Sequence, residues 1–267
     1  MKNIPAKDAK PGVKRARGID RLIDILKYLN SSGRPQRPNE IAAGIDAPKS
    51  SVYEIVNRLV EERVLEQYDT DGRLYLGRTL HFWGARYLEK FDLLRQADPV
   101  VAALSEDTGE TAQLCMIDGN KFVVALAHSG ARHFSITSEL GRPVPLTWTA
   151  SGRLLVSNMS DEDIIKFIPD EDFILPNGSD MPKATFLREV ADANAVHFYS
   201  CDSIIDKFTK CYAAAVRDQS GTCLATLCLV LPRDDAKPRH NELRNSLIGF
   251  ASKLTNSLGG TYDRNTA

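Results

Sequence analysis

Six polar residues on one predicted helix carry groups that suit binding to a polyanion. They lie in the stretch PKSSVYEIVNRLV and are Lys49, Ser50, Ser51, Tyr53, Asn57 and Arg58. Helical spacing turns the apolar residues inward, which leaves these side chains together on the outward face. Hydroxyls in the first turn can donate to phosphates, helped by the positive end of the helix dipole. Asn57 and Arg58 have the donor and acceptor geometry needed to bind base edges in a major groove.

The surrounding elements decide between a binding surface and an ordinary solvated helix face. A first amphipathic helix is predicted from IDRLIDILKYL, whose inner residues are Ile19, Leu22, Ile23, Leu26 and Leu29. A short second helix, RPNEIAAGI, precedes the third. Two strand-like stretches, VLEQY and RLYLG, follow it and are joined at the hairpin signal Asp71-Gly72. Three helices followed by a hairpin predict a winged helix-turn-helix, which favours the binding surface.

The charge distribution also favours a polyanionic partner for this part of the chain. Residues 1–78 carry 15 Lys or Arg against 11 Asp or Glu, whereas the remainder carries 19 against 24. A basic module joined to an acidic one indicates that only the first contacts nucleic acid. The composition of residues 1–17 predicts a flexible basic arm. We expect the flanking DNA backbone or minor groove to be contacted by three residues of this arm, Lys14, Arg15 and Arg17, and by Arg73 beside the wing turn.

Cysteine usage and hydropathy exclude several classes of protein. The five cysteines are an odd number without a C-x-x-C pair, which argues against a disulfide framework and a structural zinc site. The N-terminus has no apolar central region, so no secretory signal is expected. The longest apolar run, CLATLCLVL, is shorter than the roughly 20 residues of a membrane helix. We therefore expect a cytoplasmic protein with no membrane, metal or cofactor.

The rest of the chain predicts a connecting helix and an α+β domain. Residues 79–97 read as a linker helix, and its bulky apolar residues predict packing against a second copy of the chain; they are Leu80, Trp83, Tyr87, Leu88, Phe91 and Leu94. Beyond it, strand-like stretches such as TAQLCMIDGNKFVVALAHS, FSITSEL and CYAAAVRDQSGTCLATLCLVL alternate with helical ones. This mixture predicts an antiparallel sheet with helices packed on it.

Several motifs together resemble the IclR family of bacterial transcriptional regulators. They are NEIAAGIDAPKSSVYEIVNRLVEERVLEQYDTDGRLYLG, DTGETAQLC, LGRPVPLTWTASGRLL, CYAAAVRD and the terminal SLGG. The resemblance implies a winged helix-turn-helix at 18–78, a linker and dimerisation helix at 79–97, and a GAF-like effector-binding domain at 98–260. It also implies a homodimer or dimer of dimers whose binding to an operator in double-stranded DNA is modulated by a small molecule.

The resemblance also places the effector pocket. Its motif-matched positions are Trp148, Thr149, Ala150, Cys201, Asp202, Cys211, Cys228 and Val230. An aromatic wall with a few small polar groups suits a small polar metabolite. The chain departs from the family pattern at Asp46, where glycine is usual, and at Glu54, where arginine is frequent; the residue Asp46 is compatible because Asp tolerates left-handed backbone.

Two other functions compete with this interpretation. A cysteine-dependent enzyme acting on a small metabolite would pair Cys201 or Cys211 with His197 or His128, but no nucleophile elbow, metal-binding helix pair, phosphate loop or dinucleotide fingerprint occurs. A pure protein-interaction module would leave the wing and basic arm unused. We therefore predict a non-enzymatic repressor of a catabolic operon, which binds a palindromic operator and responds to a short organic acid or related carbonyl compound.

Overall fold

The computed structural model describes residues 17–90, 92–131, 136, 139–205 and 208–261. The chain forms two compact units, Met1–Lys90 and Phe91–Ala267. Lys14 and Arg15 of the predicted basic arm lie outside the described residues, as do the side chain of Arg17, Phe91 and most of the predicted FSITSEL strand.

Three helices and a two-stranded hairpin in the first unit confirm the predicted winged helix-turn-helix. In chain order they are α1 (Arg17–Ser32), α2 (Pro38–Gly44), α3 (Lys49–Glu61), β1 (Leu65–Gln67) and β2 (Leu74–Leu76). The strands pair antiparallel, with Glu66 opposite Tyr75. The backbone of Gln36 exchanges two hydrogen bonds with that of Leu74, at 3.0 and 2.8 Å, which ties the wing to the segment before α2.

The buried face of α1 differs from the predicted one. Ile25 and Leu29 are fully buried, whereas Ile19 and Ile23 are 65% and 43% exposed. The buried and partly buried residues, Leu22, Ile25, Leu26 and Leu29, follow the i, i+3, i+4, i+7 spacing of one helix face. The assignment of Ile19 and Ile23 to the core was wrong because Ile23 lies about a quarter turn from this face and Ile19 lies in the first turn, at its edge.

The turn between α2 and α3 is tight. Asp46 adopts a φ of 49°, which confirms that the left-handed backbone expected at this position is compatible with Asp. Gly44, at the end of α2, lies against the ring of Tyr28, which a Cβ atom there would approach to 2.2 Å. These two residues fix the angle at which α3 leaves α2.

Two helices contain the described residues of the predicted linker. Helix α4 spans Arg78–Lys90 in the first unit, and α5 spans Asp92–Thr108 in the second. On α4, Phe82 and Trp83 are 58% and 59% exposed, which leaves apolar surface available for a partner. Leu94 on α5 is instead buried in the core of the second unit, so it does not contribute to that surface.

The second unit is a six-stranded antiparallel sheet with helices on both faces, which confirms the α+β prediction. The strand order is β5-β4-β3-β8-β7-β6. The strands are β3 (Thr111–Asp118), β4 (Lys121–His128), β5 (Val144–Pro145), β6 (Phe198–Asp202), β7 (Thr209–Arg217) and β8 (Cys223–Pro232). The remaining helices are α6 (Ala150–Leu155), α7 (Asp161–Phe167), α8 (Lys183–Val196), α9 (Arg233–Ala236) and α10 (His240–Ser257). Strands β5 and β6 and helices α7 and α9 were not predicted from the sequence.

The two faces of this sheet have separate cores. Helices α5 and α10 cover one face, where Leu114, Tyr212 and Leu247 are fully buried. Helices α6 and α8 cover the other, where Cys115, Ala213 and Cys228 belong to the second core. Successive residues of a strand point to opposite faces, so one strand supplies side chains to both.

Candidate functional site

The outward face of α3 presents most of the predicted polar residues to solvent. Lys49, Ser50, Tyr53, Asn57 and Arg58 are exposed, and only Ser51 is half-buried. The residue before the helix is Pro48, which supplies no side-chain cap. The first amide that bonds back into the helix is that of Val52, to the Pro48 carbonyl at 3.2 Å. The amides of the preceding turn are therefore oriented to donate to an anion.

Two predicted residues also hold α3 in place within the unit. Ser51 Oγ accepts a hydrogen bond of 2.9 Å from Arg21 Nη1 on α1. Tyr53 Oη donates to Asn39 Oδ1 on α2, at 3.3 Å. Arg21 was not predicted to take part, because on α1 it looks like any outward cation. These bonds orient the helix but reduce the capacity of Ser51 to bind phosphate.

Arg58 is paired with two glutamates of its own helix end. Its guanidinium lies 2.9 Å from Glu61 and 2.5 Å from Glu62, and the side chain is 69% exposed. Exposed pairs of this kind contribute little stability because water screens them. A hydrogen-bonding partner on a duplex can therefore replace them at modest cost.

The wing carries carboxylates beside its cations. Asp69 Oδ1 accepts from the amides of Asp71 and Arg73, both at 3.1 Å, and Gly72 has a φ of 75° that the turn requires. Arg73 Nε lies 4.0 Å from Asp69, and Arg37 lies 3.5 Å from Asp71. Each of these cations is thus paired with a carboxylate, so the wing supports DNA contact less strongly than α3 does.

A cavity of about 350 Å³ opens on the α6 face of the second unit. Four of the eight predicted pocket residues line it: Trp148, Thr149, Cys211 and Val230. Ala150 and Cys228 are buried beneath it, the latter with its Sγ 2.7 Å from Ser151 Oγ. Cys201 lies opposite Cys211 on the neighbouring strand; it is partly buried against the core and does not line the cavity.

Asp202 lies on the opposite face of the sheet from this cavity. It follows Cys201 on β6, so strand alternation turns its side chain away, toward Lys210 at 3.2 Å. Cys201 and Asp202 were predicted to approach one pocket because β6 was not recognised as a strand from the sequence. The two residues cannot contact the same ligand from opposite faces.

Several lining residues were not predicted. The polar ones include Gln113, Ser203 and Thr209, and Phe122 and Val124 supply apolar wall. Gln113 is 95% buried within the strand TAQLCMID. An amide inside an otherwise apolar strand is a signal that could have identified it, since buried polar groups require partners.

A buried arginine fixes the loop that carries Trp148. Arg153 is 1% exposed, and its Nη1 donates to the carbonyls of Thr147 and Thr149, at 2.7 and 2.8 Å. Its Nε and Nη2 donate to Glu189 Oε2 on α8, at 3.1 and 2.8 Å. Because the two carbonyls flank Trp148, Arg153 determines where that side chain stands in the cavity wall.

Two further contacts fix the same loop. The Trp148 indole Nε1 donates to the Ile174 carbonyl at 3.0 Å. Thr149 Oγ1 accepts from the Gly152 amide at 3.0 Å and so caps α6. The loop is thus held from both sides, which gives the cavity a preformed wall.

The buried thiols differ in the direction in which their pKa is shifted. Burial raises the pKa of Cys115, Cys201 and Cys223, the last to about 12, so these thiols remain protonated and weakly nucleophilic near neutral pH. Burial also raises the pKa of Cys228, but hydrogen bonds with Cys115, Ser151 and Thr226 outweigh it and lower that pKa. Cys228 lines neither the cavity beside Trp148 nor the one beside Tyr212, so this thiol has no route to a substrate in either.

Within the described ranges, no three His, Cys, Asp or Glu side chains come together as a metal site. The helices among these residues are each too short or too polar to cross a membrane.

Comparison with known proteins assigns both units. Residues 18–69 match the IclR helix-turn-helix domain, and residues 85–256 match the C-terminal domain of bacterial IclR transcriptional regulators. The chain is 25% identical over 227 residues to the HTH-type transcriptional repressor AllR of Escherichia coli K12, covering 82% of this chain and 81% of AllR.

Solved structures share the fold. An IclR transcriptional regulator from Alicyclobacillus acidocaldarius matches with a TM-score of 0.77 at 16% identity, over 91% of this chain and 98% of that one. An IclR homologue from Microbacterium hydrocarbonoxydans, solved in complex with 4-hydroxybenzoate, matches with a TM-score of 0.72 at 19% identity, over 91% and 99%.

Proposed function

Because the chain belongs to the IclR family of bacterial transcriptional regulators, we propose that it is a cytoplasmic repressor of a catabolic operon. It combines the family's helix-turn-helix domain with an effector-binding domain. Two copies bind a palindromic operator through α3, and a small organic acid or related carbonyl compound in the cavity beside Trp148 weakens that binding. The observation that carries the proposal is the exposed face of α3, with oriented amides at its N-terminus and Asn57 and Arg58 further along.

Roles on the duplex follow from position along α3. The first-turn amides, with Lys49 and Ser50, suit a phosphate because the helix dipole is positive there. Asn57 and Arg58 suit base edges in the major groove. Glu54, exposed between them, repels phosphate but can accept from cytosine, which predicts a cytosine in the half-site.

Self-association makes two recognition helices available. The exposed Phe82 and Trp83 on α4 support a homodimer or a dimer of dimers, since apolar side chains this exposed favour a partner. Two α3 helices in successive major grooves require half-sites about one helical turn, roughly 34–36 Å, apart. An effector acts only to the extent that it binds one arrangement of the protein more tightly than the other.

Arg58→Ala is expected to weaken operator binding by about 1–2 kcal/mol while leaving binding to random DNA little changed. The loss is moderate because Arg58 must first leave Glu61 and Glu62. The measurement is fluorescence anisotropy on an operator selected from a random duplex library and on a scrambled duplex.

Lys49→Ala is the matched control for Arg58→Ala. Because Lys49 is proposed to contact phosphate, Lys49→Ala should weaken binding to both duplexes equally and flatten the dependence of affinity on salt. Equal losses on both duplexes for Arg58→Ala would remove its base-reading role. No affinity of the unmodified protein for either duplex at low salt would refute the proposed function itself.

The cavity favours a small acid with an apolar body. Trp148 and Phe122 supply aromatic wall, while Gln113 and Thr209 add polar groups within it. Arg142 lies at the same cavity and is paired with Glu139 at 2.9 Å, an exposed pair that a carboxylate can replace. The related protein that binds 4-hydroxybenzoate supports a ligand of this class.

Trp148→Ala is expected to lower affinity for the bound acid about tenfold or more, because a large aromatic contact is lost. The ligand is first found by a thermal-shift screen of 4-hydroxybenzoate and short hydroxy and oxo acids, and its affinity is then measured by calorimetry. Trp83→Ala is the matched control, since the second tryptophan of the chain lies in the first unit. Equal affinity of Trp148→Ala and the unmodified protein would exclude Trp148 from the site.

A further inference from the structure

A second cavity, of about 390 Å³, lies on the other face of the same sheet. Strand β7 borders both cavities: Thr209 and Cys211 line the first, and Lys210 and Tyr212 line the second. The alternation of side chains along a strand explains this division. A ligand in one cavity therefore cannot contact the other directly, and the second cavity is a site distinct from the effector cavity.

The charges around the second cavity leave an excess of positive charge. Its cations are Lys210, Arg233 and Lys237, and its carboxylates are Asp202 and Asp234. Asp202 is shared by Lys210 at 3.2 Å and Arg233 at 3.8 Å, so these three groups neutralise one another only in part. Lys237 is exposed and makes no ion pair with the part of the chain that the structure describes.

Polar groups at the inner end of the cavity are held in place. Tyr212 is fully buried, and its hydroxyl lies 3.0 Å from His240 Nδ1. His240 is the first residue of α10, an 18-residue helix without a side-chain cap, so the positive end of that helix adjoins the cavity. A fixed phenol, an imidazole and three cations thus surround one small volume.

We propose that this second cavity binds a small oxyanion, either a carboxylate or a phosphate group of a metabolite. Lys237 and Arg233 supply charge at its mouth, while Tyr212 and His240 supply hydrogen bonds at its inner end. Asp234 also lines the cavity and reduces its excess of positive charge, which favours a ligand with few negative charges. The proposal is independent of DNA binding and of the ligand of the first cavity.

The test titrates the full-length protein with two probes, inorganic phosphate and succinate, in separate calorimetric experiments at constant ionic strength. We expect saturable one-site binding of at least one probe, and the probe that binds more tightly identifies the source as phosphate or carboxylate. Lys237→Gln should weaken that binding about tenfold, because a charge-assisted hydrogen bond is lost. Tyr212→Phe, which keeps the ring, should weaken it less.

Two matched variants test whether the probe binds in this cavity and nowhere else on the chain. Lys166→Gln makes the same substitution on α7, where the exposed lysine lies 4.0 Å from Glu162, and should leave affinity within about twofold. Trp148→Ala alters the first cavity and should also leave affinity unchanged. The proposal is overturned if neither probe binds saturably, if Lys166→Gln weakens binding as much as Lys237→Gln, or if Trp148→Ala abolishes it.

Discussion

Replacing Arg153 with methionine is expected to lower the free energy of unfolding of the second unit by about 3 kcal/mol. The guanidinium is 1% exposed and satisfies two carbonyls and Glu189, all of which lose their donor in the variant. It also faces the rings of Phe186 and Tyr199, at 5.0 and 5.3 Å. The loss should lie at the low end for a broken buried pair because the Glu189 side chain is 25% exposed and can recover some hydration.

Urea unfolding followed by the fluorescence of Trp148 measures this effect. A Trp83→Phe background leaves Trp148 as the only tryptophan, so the signal comes from the loop that Arg153 holds. Arg142→Met is the matched control: its pair with Glu139 is exposed on both sides and should cost no more than about 0.5 kcal/mol. Similar losses in the two variants would show that Arg153 does not stabilise the cavity wall.

Gly152→Ala is expected to destabilise the second unit by about 3 kcal/mol, for a steric reason. A Cβ atom at this position would lie 1.9 Å from the carbonyl oxygen of Leu146 and 2.6 Å from its carbon. Both atoms belong to backbone, so no side chain can turn aside, and the Leu146–Trp148 turn must move away from α6. The same displacement would disturb Trp148 and lower effector affinity.

Gly249→Ala provides the control for this substitution. Gly249 lies in α10, and nothing stands within 4 Å of a Cβ atom placed there. Alanine should therefore stabilise the protein by about 0.5–1 kcal/mol, the usual preference for alanine over glycine in a helix. Both variants are measured by the same urea titration, and the free energy of unfolding should fall for Gly152→Ala and rise for Gly249→Ala. An unchanged free energy of unfolding for Gly152→Ala would mean that the backbone around Leu146 moves aside at no cost.

The winged helix-turn-helix could be predicted because its signals are local. Residues such as Val52, Val56 and Leu59 recur at helical spacing, and all three are buried in the first unit. Asp71-Gly72 marks the wing turn, and Gly72 adopts the positive φ that such a turn needs. The errors on α1, at Ile19 and Ile23, arose because a helix with many apolar residues allows more than one inner face.

The lining of the cavity beside Trp148 could be predicted only in part. Trp148, Thr149, Cys211 and Val230 were predicted from the family resemblance, and all four line the cavity. Gln113 and Phe122 were missed because they come from strands far away in sequence, and Asp202 was placed on the wrong face because β6 has no strong strand signal.

The sequence by itself determined the order of helices and strands in the first unit and the outward polar face of α3, because both depend on residues that are close in sequence, and it determined the basic character of that unit, which depends on composition alone. Only the tertiary structure decided which side chains share a cavity. Pairing of β3 with β8 brings Gln113 and Val230 together from distant parts of the chain, and strand alternation assigns Cys211 of β7 to one cavity and Lys210 to the other. Arg153 is a second example. From the sequence, a charged side chain is expected at the surface, and only the packing of α6 against α8 shows that the Thr147 carbonyl and the Glu189 carboxylate accept hydrogen bonds from the buried guanidinium.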